Sequence, residues 1–542
     1  MDKRRYAFLK SRSGETVPAI VLESADTRPL HSMVDPKREA QRLVSTISED
    51  TGFVVFLGLG GGFAPEAALA LTVAQVVVID FDRDGIDELL SSKDYTPLLE
   101  NERFCLLTDP SCEEIKKIIL EKYKPALCGG IKTIPLRTRT DFDLPLFDAA
   151  AQAIQEAIET VSSDYSVQAH FGRRWFSNII RNIKTTGIVH ENFLKEKFSS
   201  FVSEAVIVAA GPSLDLQISA LAECKSRNAF IICSDTAFPV LLNHGIEPNA
   251  VVSIDCQHIS YYHFMGCCRK LHNIPLILDI ASPPLLSRLS PSPVFFSSGH
   301  PLARYISAYW QPFPYLDTSG GNVTYACLSL AENLGARLIT LFGADFSYIN
   351  SRTYARGTYI YPFFEKKQNR VSPMEALFST FLYRSLFLPP ENEGNQKQNY
   401  HETSSLRFYR KKLEEKASMI DAQISYAKGL GAHINLYKTP NRIKQAETSM
   451  SAKKTNGGAS NIACGAVFLE QYRDDIAALP EAKNQDYLNR LNSKERQIFT
   501  TLLPYIAFNK RRNPNLKTEE LIEITKRRCI EEIDMVMVSS CK

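Results

Sequence analysis

The chain has 542 residues, of which 44% are hydrophobic and 23% charged, and its net charge is +3. This length allows about three domains, and the charge balance excludes a nucleic-acid binder with a strongly basic surface. No apolar run reaches the roughly 18 residues of a membrane span. The twelve cysteines and the histidines lack metal-ligand spacing, and the charged N-terminus does not resemble a secretory signal. We therefore expect a cytoplasmic protein with reduced thiols and no bound metal.

Residues 53–84 predict a strand, a glycine turn, a helix and a second strand. The strands come from FVVFLGLGGGF and AQVVVIDFDRD. Such a unit is typical of a Rossmann-like domain that binds a dinucleotide or S-adenosylmethionine. The order G-L-G-G-G departs from G-x-G-x-x-G, so we interpret the turn as part of a scaffold. Asp80 and Asp82 spell a D-x-D metal pattern, which we interpret as solvated acids capping the second strand.

The chain then turns to helical spacing in FDAAAQAIQEAIETV and HFGRRWFSNIIRNI. We place the end of a Rossmann-like N-terminal domain near Ser163. The resulting division is an N-terminal domain at 1–163, a central domain at 164–440 and a helical domain at 441–542.

The central domain contains six apolar runs: AVIVAAG, NAFIICSD, AVVSIDC, IPLILDI, PVFFSS and ARLITLFGADFS. Continuous rather than alternating runs indicate strands buried on both faces of a parallel sheet. The prediction is a doubly wound α/β domain, which binds ligands beyond the carboxyl ends of its strands. The candidate nucleotide-binding residues at those ends are Gly211, Pro212, Ser213, Asp215, Asp235, Thr236, Asp255, Ser319, Gly320, Gly321 and Asp345.

These candidates have different physical rationales. The turn at 211–213 leaves backbone amides at a helix N-terminus, which suits a phosphate. Asp235 ends a strand where an acid can meet a ribose hydroxyl, and Gly320 and Gly321 would let a ligand approach the backbone closely. Two of the acids also have a structural interpretation. Asp215 could be an acid favoured by the helix dipole in a first helical turn, and Asp255 could only cap the end of its strand.

The last part of the chain begins with a polar stretch, KQAETSMSAKKTNGGASN, which is typical of a flexible linker. Several helices follow, and we expect this domain to hold a protein acceptor. A second polar stretch at 389–405 is typical of a lid over a site.

Several motifs resemble the motility accessory factor (Maf) family. They are VIVAAGPSLD, SDTAFPVLLNHGIEPNAVVSID and SGGNVTYACLSLAENLGARLITLFGADFSY, together with LHSMVDPKREAQRLV and FGRRWFSNIIRNI. Maf proteins are bacterial cytoplasmic enzymes implicated in placing sialic-acid-like nine-carbon sugars, such as pseudaminic acid, on flagellin. The resemblance implies flagellin as acceptor, a role in flagellum assembly, and a CMP-activated nonulosonic acid as donor substrate, with no separate cofactor.

Residues 318–355 are similar to bacterial sialyltransferases that use CMP-sialic acid. This likeness implies a GT-A/sialyltransferase-like central domain. It also implies that Tyr348 and Tyr354 hold the CMP phosphate and that His401 is the base. Two phenol donors with helix amides can neutralise a departing phosphate without a metal.

Two other functions remain open from the sequence. The central domain also resembles archaeal 6-hydroxymethylpterin pyrophosphokinases, which use ATP and Mg²⁺, and Asp215, Asp235, Asp255 and Asp345 could then bind the metal. The third possibility is a non-catalytic flagellin-handling factor. A chelator should abolish only the kinase activity, and a decayed site should bind neither CMP nor ATP.

Overall fold

The computed structural model describes residues 6–187, 189–198, 202–389, 400–436, 464–483 and 487–538. The chain forms two compact units, Met1–Arg173 with Ala477–Arg528 and Arg174–Ile476 with Cys529–Lys542. The fold is mixed α/β with parallel sheets, as the sequence predicts. The division into three domains stays a prediction, and its second boundary at 440 lies outside the described residues.

The first unit contains a three-stranded antiparallel sheet and a four-stranded parallel sheet in the order β6-β5-β4-β7, counted over the described residues. The strands are β1 (Tyr6–Lys10), β2 (Thr16–Val21), β3 (Thr27–Pro29), β4 (Phe53–Leu57), β5 (Gln75–Asp80), β6 (Phe104–Thr108) and β7 (Ile131–Pro135). The helices are α1 (Pro36–Val44), α2 (Phe63–Leu71), α3 (Arg83–Ser91), α4 (Thr96–Leu99), α5 (Cys112–Lys122), α6 (Pro125–Cys128), α7 (Arg137–Thr140) and the start of α8 (Leu144–Thr185). The boundary proposed at Ser163 falls inside α8.

The parallel sheet of this unit is covered on both faces. Val54 and Phe56 pack into one cluster of buried side chains, whereas Phe53, Val55 and Leu57 pack into another. Two apolar faces explain why β4 is a continuous apolar run. The β4–α2–β5 segment is the strand–turn–helix–strand unit that the sequence predicts.

The glycine turn between β4 and α2 is occupied by the protein's own groups. The amide of Leu59 donates to Asp80 Oδ2 at 2.8 Å, and the amide of Gly61 donates to His31 Nε2 at 2.8 Å. The amide of Gly62 donates to the carbonyl of Leu59. These amides, which a dinucleotide phosphate would use in a Rossmann domain, are already satisfied within the chain.

The interpretation of Asp80 and Asp82 as solvated acids is wrong, because both side chains are buried. The carboxylate of Asp80 lies 2.8 Å from the guanidinium of Arg139, whose exposure is 0%. Asp82 caps α3 by accepting from the amide of Gly85, and it also accepts from the hydroxyl of Tyr6. A buried carboxylate needs such partners, so both acids serve the packing of this unit.

The second unit contains a seven-stranded sheet in the order β12-β11-β10-β9-β8-β13-β17, counted over the described residues, with every neighbouring pair parallel. Its strands are β8 (Glu204–Val208), β9 (Phe230–Ser234), β10 (Ala250–Ser253), β11 (Leu276–Asp279), β12 (Val294–Phe296), β13 (Leu338–Phe342) and β17 (Gln423–Tyr426). A small antiparallel sheet is formed by β14 (Tyr348–Ile349), β15 (Phe387–Leu388) and β16 (Tyr400–Thr403). The six predicted strands are β8 to β13, and β17 is an edge strand that the sequence did not predict.

The helices of this unit cover the seven-stranded sheet and build the loops at its carboxyl edge. They are α9 (Phe193–Lys197), α10 (Leu214–Ser226), α11 (Phe238–Asn243), α12 (Pro284–Ser287), α13 (Pro301–Tyr309), α14 (Val323–Asn333), α15 (Ile360–Glu365), α16 (Met374–Leu382) and α17 (Ser404–Met419), with 3-10 helices at His258–Phe264 and Cys268–His272. The buried side chains of α14 pack into the same core as β8, β9 and β10. This packing sets the N-terminus of α14 at the carboxyl edge of the sheet.

The predicted C-terminal helices are α18 (Gly465–Ala477), α19 (Tyr487–Arg490), α20 (Ser493–Arg512) and α21 (Thr518–Val538). The polar stretch that begins at Lys444 and most of the predicted lid lie outside the described residues. Within the part of the chain that is described, no helix is long and apolar enough to cross a membrane.

The motif FGRRWFSNIIRNI forms the C-terminal part of α8. Asn178 donates to the carbonyls of Cys256 and Ala281, and Asn182 donates to the carbonyls of Ile280 and Ser282. Residues four apart share one face of a helix, so both amides bond the loops that follow β10 and β11. The motif therefore stabilises the loops at the carboxyl edge of the sheet.

Candidate functional site

The Gly-Pro-Ser turn after β8 is held by residues far away in the sequence. The amide of Ser213 donates to Asp345 Oδ2 at 2.8 Å, and the Ser213 hydroxyl accepts from the amide of Leu430 at 2.9 Å. The amide of Ala432 donates to the carbonyl of Asp345. Burial raises the pKa of Asp345, and the hydrogen bonds from Ser213 oppose that rise. Two predicted nucleotide contacts thus touch each other, and the loop after β17 lies against them.

Asp215, in the first turn of α10, joins this turn to the segment that follows β14. Its carboxylate lies 2.6 Å from the guanidinium of Arg352 and accepts from the amide of Arg356 at 3.0 Å. Between those residues, the amide of Ala355 donates to the carbonyl of Ala210. Asp215 therefore contacts residues on both sides of Tyr354, through the Arg352 side chain and the Arg356 backbone. Its contact with a ligand stays a prediction.

Asp235 and Asp255 are neighbouring acids at the ends of β9 and β10. Asp235 is only 2% exposed and accepts from the hydroxyl of Ser253 at 2.6 Å and from the amide of Thr236 at 2.7 Å. Asp255 accepts from the amide of Gln257 at 2.9 Å. Burial raises the pKa of Asp255, and the negative charge of Asp235 raises it further. The structure thus brings these two predicted residues together.

Four tyrosines, which we call the tyrosine cluster, are Tyr348, Tyr354, Tyr359 and Tyr409; the last three lie near one or both of these acids, and Tyr348 lies near Tyr354 and Tyr409. Burial raises the pKa of all four phenols. The charge of Asp235 raises the pKa of Tyr354 and Tyr359, and that of Asp255 raises the pKa of Tyr359 and Tyr409. Within the described residues, none of the four hydroxyls has a hydrogen-bond partner. Half-buried donors without protein partners are available to a ligand.

The turn before α14 lies against this cluster. Gly321 has a φ of +71°, and a Cβ there would approach the Tyr409 ring to 3.0 Å. A Cβ on Gly320 would overlap the ring of Tyr325, so both glycines are required by close packing. The amide of Ser319 donates to Asp317 at 2.9 Å, and the Ser319 side chain is exposed. The predicted turn thus adjoins Tyr409, which the sequence did not single out.

His401 lies opposite Tyr348 in the antiparallel pair of β14 and β16. Directly opposed residues of such a pair project from the same face of the sheet. The His401 ring stacks on Phe387 with a centroid distance of 4.7 Å, and Tyr348 meets the same phenylalanine at 6.3 Å. Buried Glu402 pairs with Arg407 and Arg410, which fixes the start of α17. Two of the three predicted catalytic residues therefore share one aromatic contact.

Three residues of this region were missed by the sequence argument: Tyr359, Tyr409 and Arg384. The aromatic-rich string TYARGTYIYPFF is a weak signal for Tyr359, whereas Arg384 has none. The positive charge of Arg384 lowers the pKa of Tyr348, Tyr354 and Tyr359, against the effect of burial.

The other histidines differ in their surroundings. His263 is buried and meets the Tyr359 ring at 4.4 Å. His300 caps α13 by accepting from the amide of Leu302, and burial lowers the pKa of His300 to about 3. Across the described residues, no group of three or more His, Cys, Asp or Glu is arranged to hold a metal ion.

Known proteins are similar to this chain over the region that contains the candidate site. A family model described as 6-hydroxymethylpterin diphosphokinase MptE-like matches residues 177–351. That span includes the Gly-Pro-Ser turn, the acid pair and the turn before α14. A solved structure of a MAf glycosyltransferase from Magnetospirillum magneticum AMB-1 aligns with 98% of this chain and 91% of its own, with a TM-score of 0.57 and 14% sequence identity. The two chains share a fold, which confirms the predicted mixed α/β fold class.

Three uncharacterized proteins of Treponema pallidum (strain Nichols) are similar in sequence. One is 30% identical over 188 residues, which are 34% of this chain and 88% of the relative. The chain belongs to the same family as that protein. Another is 34% identical over 152 residues, or 27% of this chain, and the chain covers 53% of its length. The third is 28% identical over 208 residues, 37% of this chain and 68% of the relative.

Proposed function

We propose that the protein is a glycosyltransferase that moves a sialic-acid-like nonulosonic sugar from a CMP-activated donor to a serine or threonine of flagellin. The observation that carries the proposal is the tyrosine cluster, whose hydroxyls lack protein partners among the described residues. Tyr354 and Tyr359 of this cluster lie near Asp235, at the carboxyl end of the parallel strand β9. Open α/β sheets bind ligands at this edge. The shared fold with a MAf glycosyltransferase supports the same class of reaction.

The proposed chemistry follows from the residues present. The bond between the sugar and the CMP phosphate breaks, and negative charge grows on the phosphate. Tyr348 and Tyr354 donate hydrogen bonds to that charge; because burial raises the pKa of both phenols, they stay protonated at neutral pH. The acceptor hydroxyl forms the new glycosidic bond and gives its proton to His401, since an imidazole can accept a proton near neutral pH.

Phenylalanine substitutions test the tyrosines. Tyr348→Phe or Tyr354→Phe should lower turnover about 10²- to 10³-fold and leave donor binding nearly intact, because the charge grows only toward the transition state. Exposed Tyr262→Phe is the matched control. Release of CMP from CMP-N-acetylneuraminic acid, with and without flagellin, gives the rate. Full activity in both variants would contradict the proposal.

His401→Ala separates transfer from hydrolysis. We expect this variant to lose transfer to flagellin but to keep a slow release of CMP, because water needs less activation than a positioned hydroxyl. Full transfer activity in the variant would assign the base elsewhere, and His263 beside Tyr359 would then be the next residue to change.

The second candidate is an ATP- and Mg²⁺-dependent pyrophosphokinase, which the family model match favours. Of the four acids proposed for that reaction, Asp215 pairs with the cation Arg352. Within the described residues, Asp345, Asp235 and Asp255 accept hydrogen bonds from neutral donors only, and Asp235 and Asp255 are neighbours that could bind the metal. Loss of nucleotide turnover in EDTA favours the kinase, whereas retained CMP release in EDTA favours the transferase. A protein that binds neither CMP nor ATP would be a non-catalytic factor.

We assign recognition of flagellin to the C-terminal helices, in a cytoplasmic protein. Val467 on α18 and Met535 on α21 are exposed apolar side chains, 55% and 57% accessible. Val467→Glu and Met535→Glu should lower flagellin modification and leave CMP binding unchanged. Unchanged modification in both variants would place the recognition surface elsewhere.

A further inference from the structure

Arg384 is a cation with no carboxylate partner in the described part of the chain. It lies on the segment between α16 and β15, and its guanidinium carbon is 3.9 Å from the centroid of the Phe381 ring. A guanidinium stacked on an aromatic face keeps its N–H donors free at the edge. Three residues later, Phe387 contacts both Tyr348 and His401.

The segment that carries Arg384 is fixed at its far end. Phe387 pairs with Thr403, and Leu388 pairs with Glu402, in the antiparallel strands β15 and β16. Arg407 bonds both the buried Glu402 and the carbonyl of Pro389. These contacts hold the segment at the same edge as the tyrosine cluster.

The surroundings of Arg384 form a set of hydrogen-bond donors. The guanidinium acts electrostatically on Tyr348, Tyr354 and Tyr359, whose hydroxyls have no partner among the described residues. Donors around an unpaired cation suit an oxyanion, because arginine binds carboxylates and phosphates through two parallel N–H bonds.

We infer that Arg384 binds the anionic group of the substrate at the tyrosine cluster. This role rests on the proposed function, in which the donor carries two such groups, the phosphate of CMP and the carboxylate of the sugar. Both are oxyanions, and the two sources can be separated by experiment.

The experiment measures binding of CMP and of CMP-N-acetylneuraminic acid by calorimetry to the full-length protein and to Arg384→Gln. The matched control is Lys367→Gln, which removes another exposed cation of the same unit, 4.1 Å above the Phe363 ring. Loss of a charged hydrogen bond should weaken affinity about 10- to 100-fold in Arg384→Gln and leave Lys367→Gln unchanged. Arg384→Lys should recover part of the loss.

The two probes distinguish the sources. Equal weakening of both ligands assigns Arg384 to the phosphate, and weakening of CMP-N-acetylneuraminic acid alone assigns it to the carboxylate. Unchanged affinity of Arg384→Gln for both ligands overturns the role of Arg384 and leaves the proposed function standing. A wild-type protein that binds neither ligand overturns the proposed function and this role with it.

Discussion

Replacing Asp279 by asparagine should change how stability depends on pH. Asp279 ends β11, is 5% exposed, and accepts from the amide of Ala281 at 2.8 Å. Burial raises the pKa of its carboxyl from 3.8 to about 6. A shift of about two units corresponds to about 3 kcal/mol. The folded state favours the protonated acid, so this contribution is present below pH about 4 and is lost as the pH rises through about 6.

The asparagine side chain in Asp279→Asn would be neutral at every pH and would keep the oxygen that accepts from Ala281. The free energy of unfolding of the wild type, minus that of Asp279→Asn, should therefore fall by about 3 kcal/mol in total between pH about 3 and pH about 8. About 2 kcal/mol of this fall should lie between pH 4 and pH 6. Urea denaturation followed by tryptophan fluorescence suits this test, because Trp175 and Trp310 both belong to the second unit. Asp421→Asn, at an exposed position, is the control. A difference that stays constant or rises with pH would refute the reasoning.

Three further substitutions test packing. Gly172→Ala should destabilise the first unit by roughly 1–3 kcal/mol in thermal unfolding, because the new Cβ would collide with the carbonyl oxygen of Pro504. Alanine normally stabilises a helix that has open space at that position, so a stabilised variant would contradict this packing. Asn182→Ala should lower the free energy of unfolding by roughly 1–3 kcal/mol for each carbonyl that loses its donor. It should also speed hydrogen exchange of the backbone amides after β11, and unchanged exchange would show that Asn182 does not stabilise this loop. Arg139→Leu should lower the free energy of unfolding by about 3–5 kcal/mol, because it leaves buried carboxylates unpaired. Adding Asp80→Asn should recover part of the lost stability, and no recovery would show that the Arg139–Asp80 pair does not cause the loss.

The sequence predicted most of the sheet in the second unit because strands buried on both faces are continuous apolar runs. β17 was not predicted, because Gln423–Tyr426 is a partly exposed edge strand with alternating burial. Its place beside β13 depends on backbone pairing, which side-chain patterns report weakly. The same limit applies to β6, whose side chains are mostly half-buried.

The candidate site was partly predictable for a related reason. Residues at strand ends, such as Asp235 and Asp255, follow directly from the positions of the strands. The partner of Ser213 could not be predicted, because Asp345 and Leu430 reach it from other segments. Arg384 was also unpredictable, since its neighbours are set by tertiary packing of an exposed segment.

The contacts of the Gly-Pro-Ser turn have a consequence for the order of folding. Ser213 bonds to partners 132 and 217 residues later in the chain, and Gln217 in the next turn bonds to carbonyls 210 and 211 residues later. Contacts of such sequence separation form late, and during synthesis they must wait for the later segment to leave the ribosome. The turn therefore reaches its native form only after residue 430 has emerged, and nascent chains that end before β17 lack the partners that hold Ser213 and Gln217.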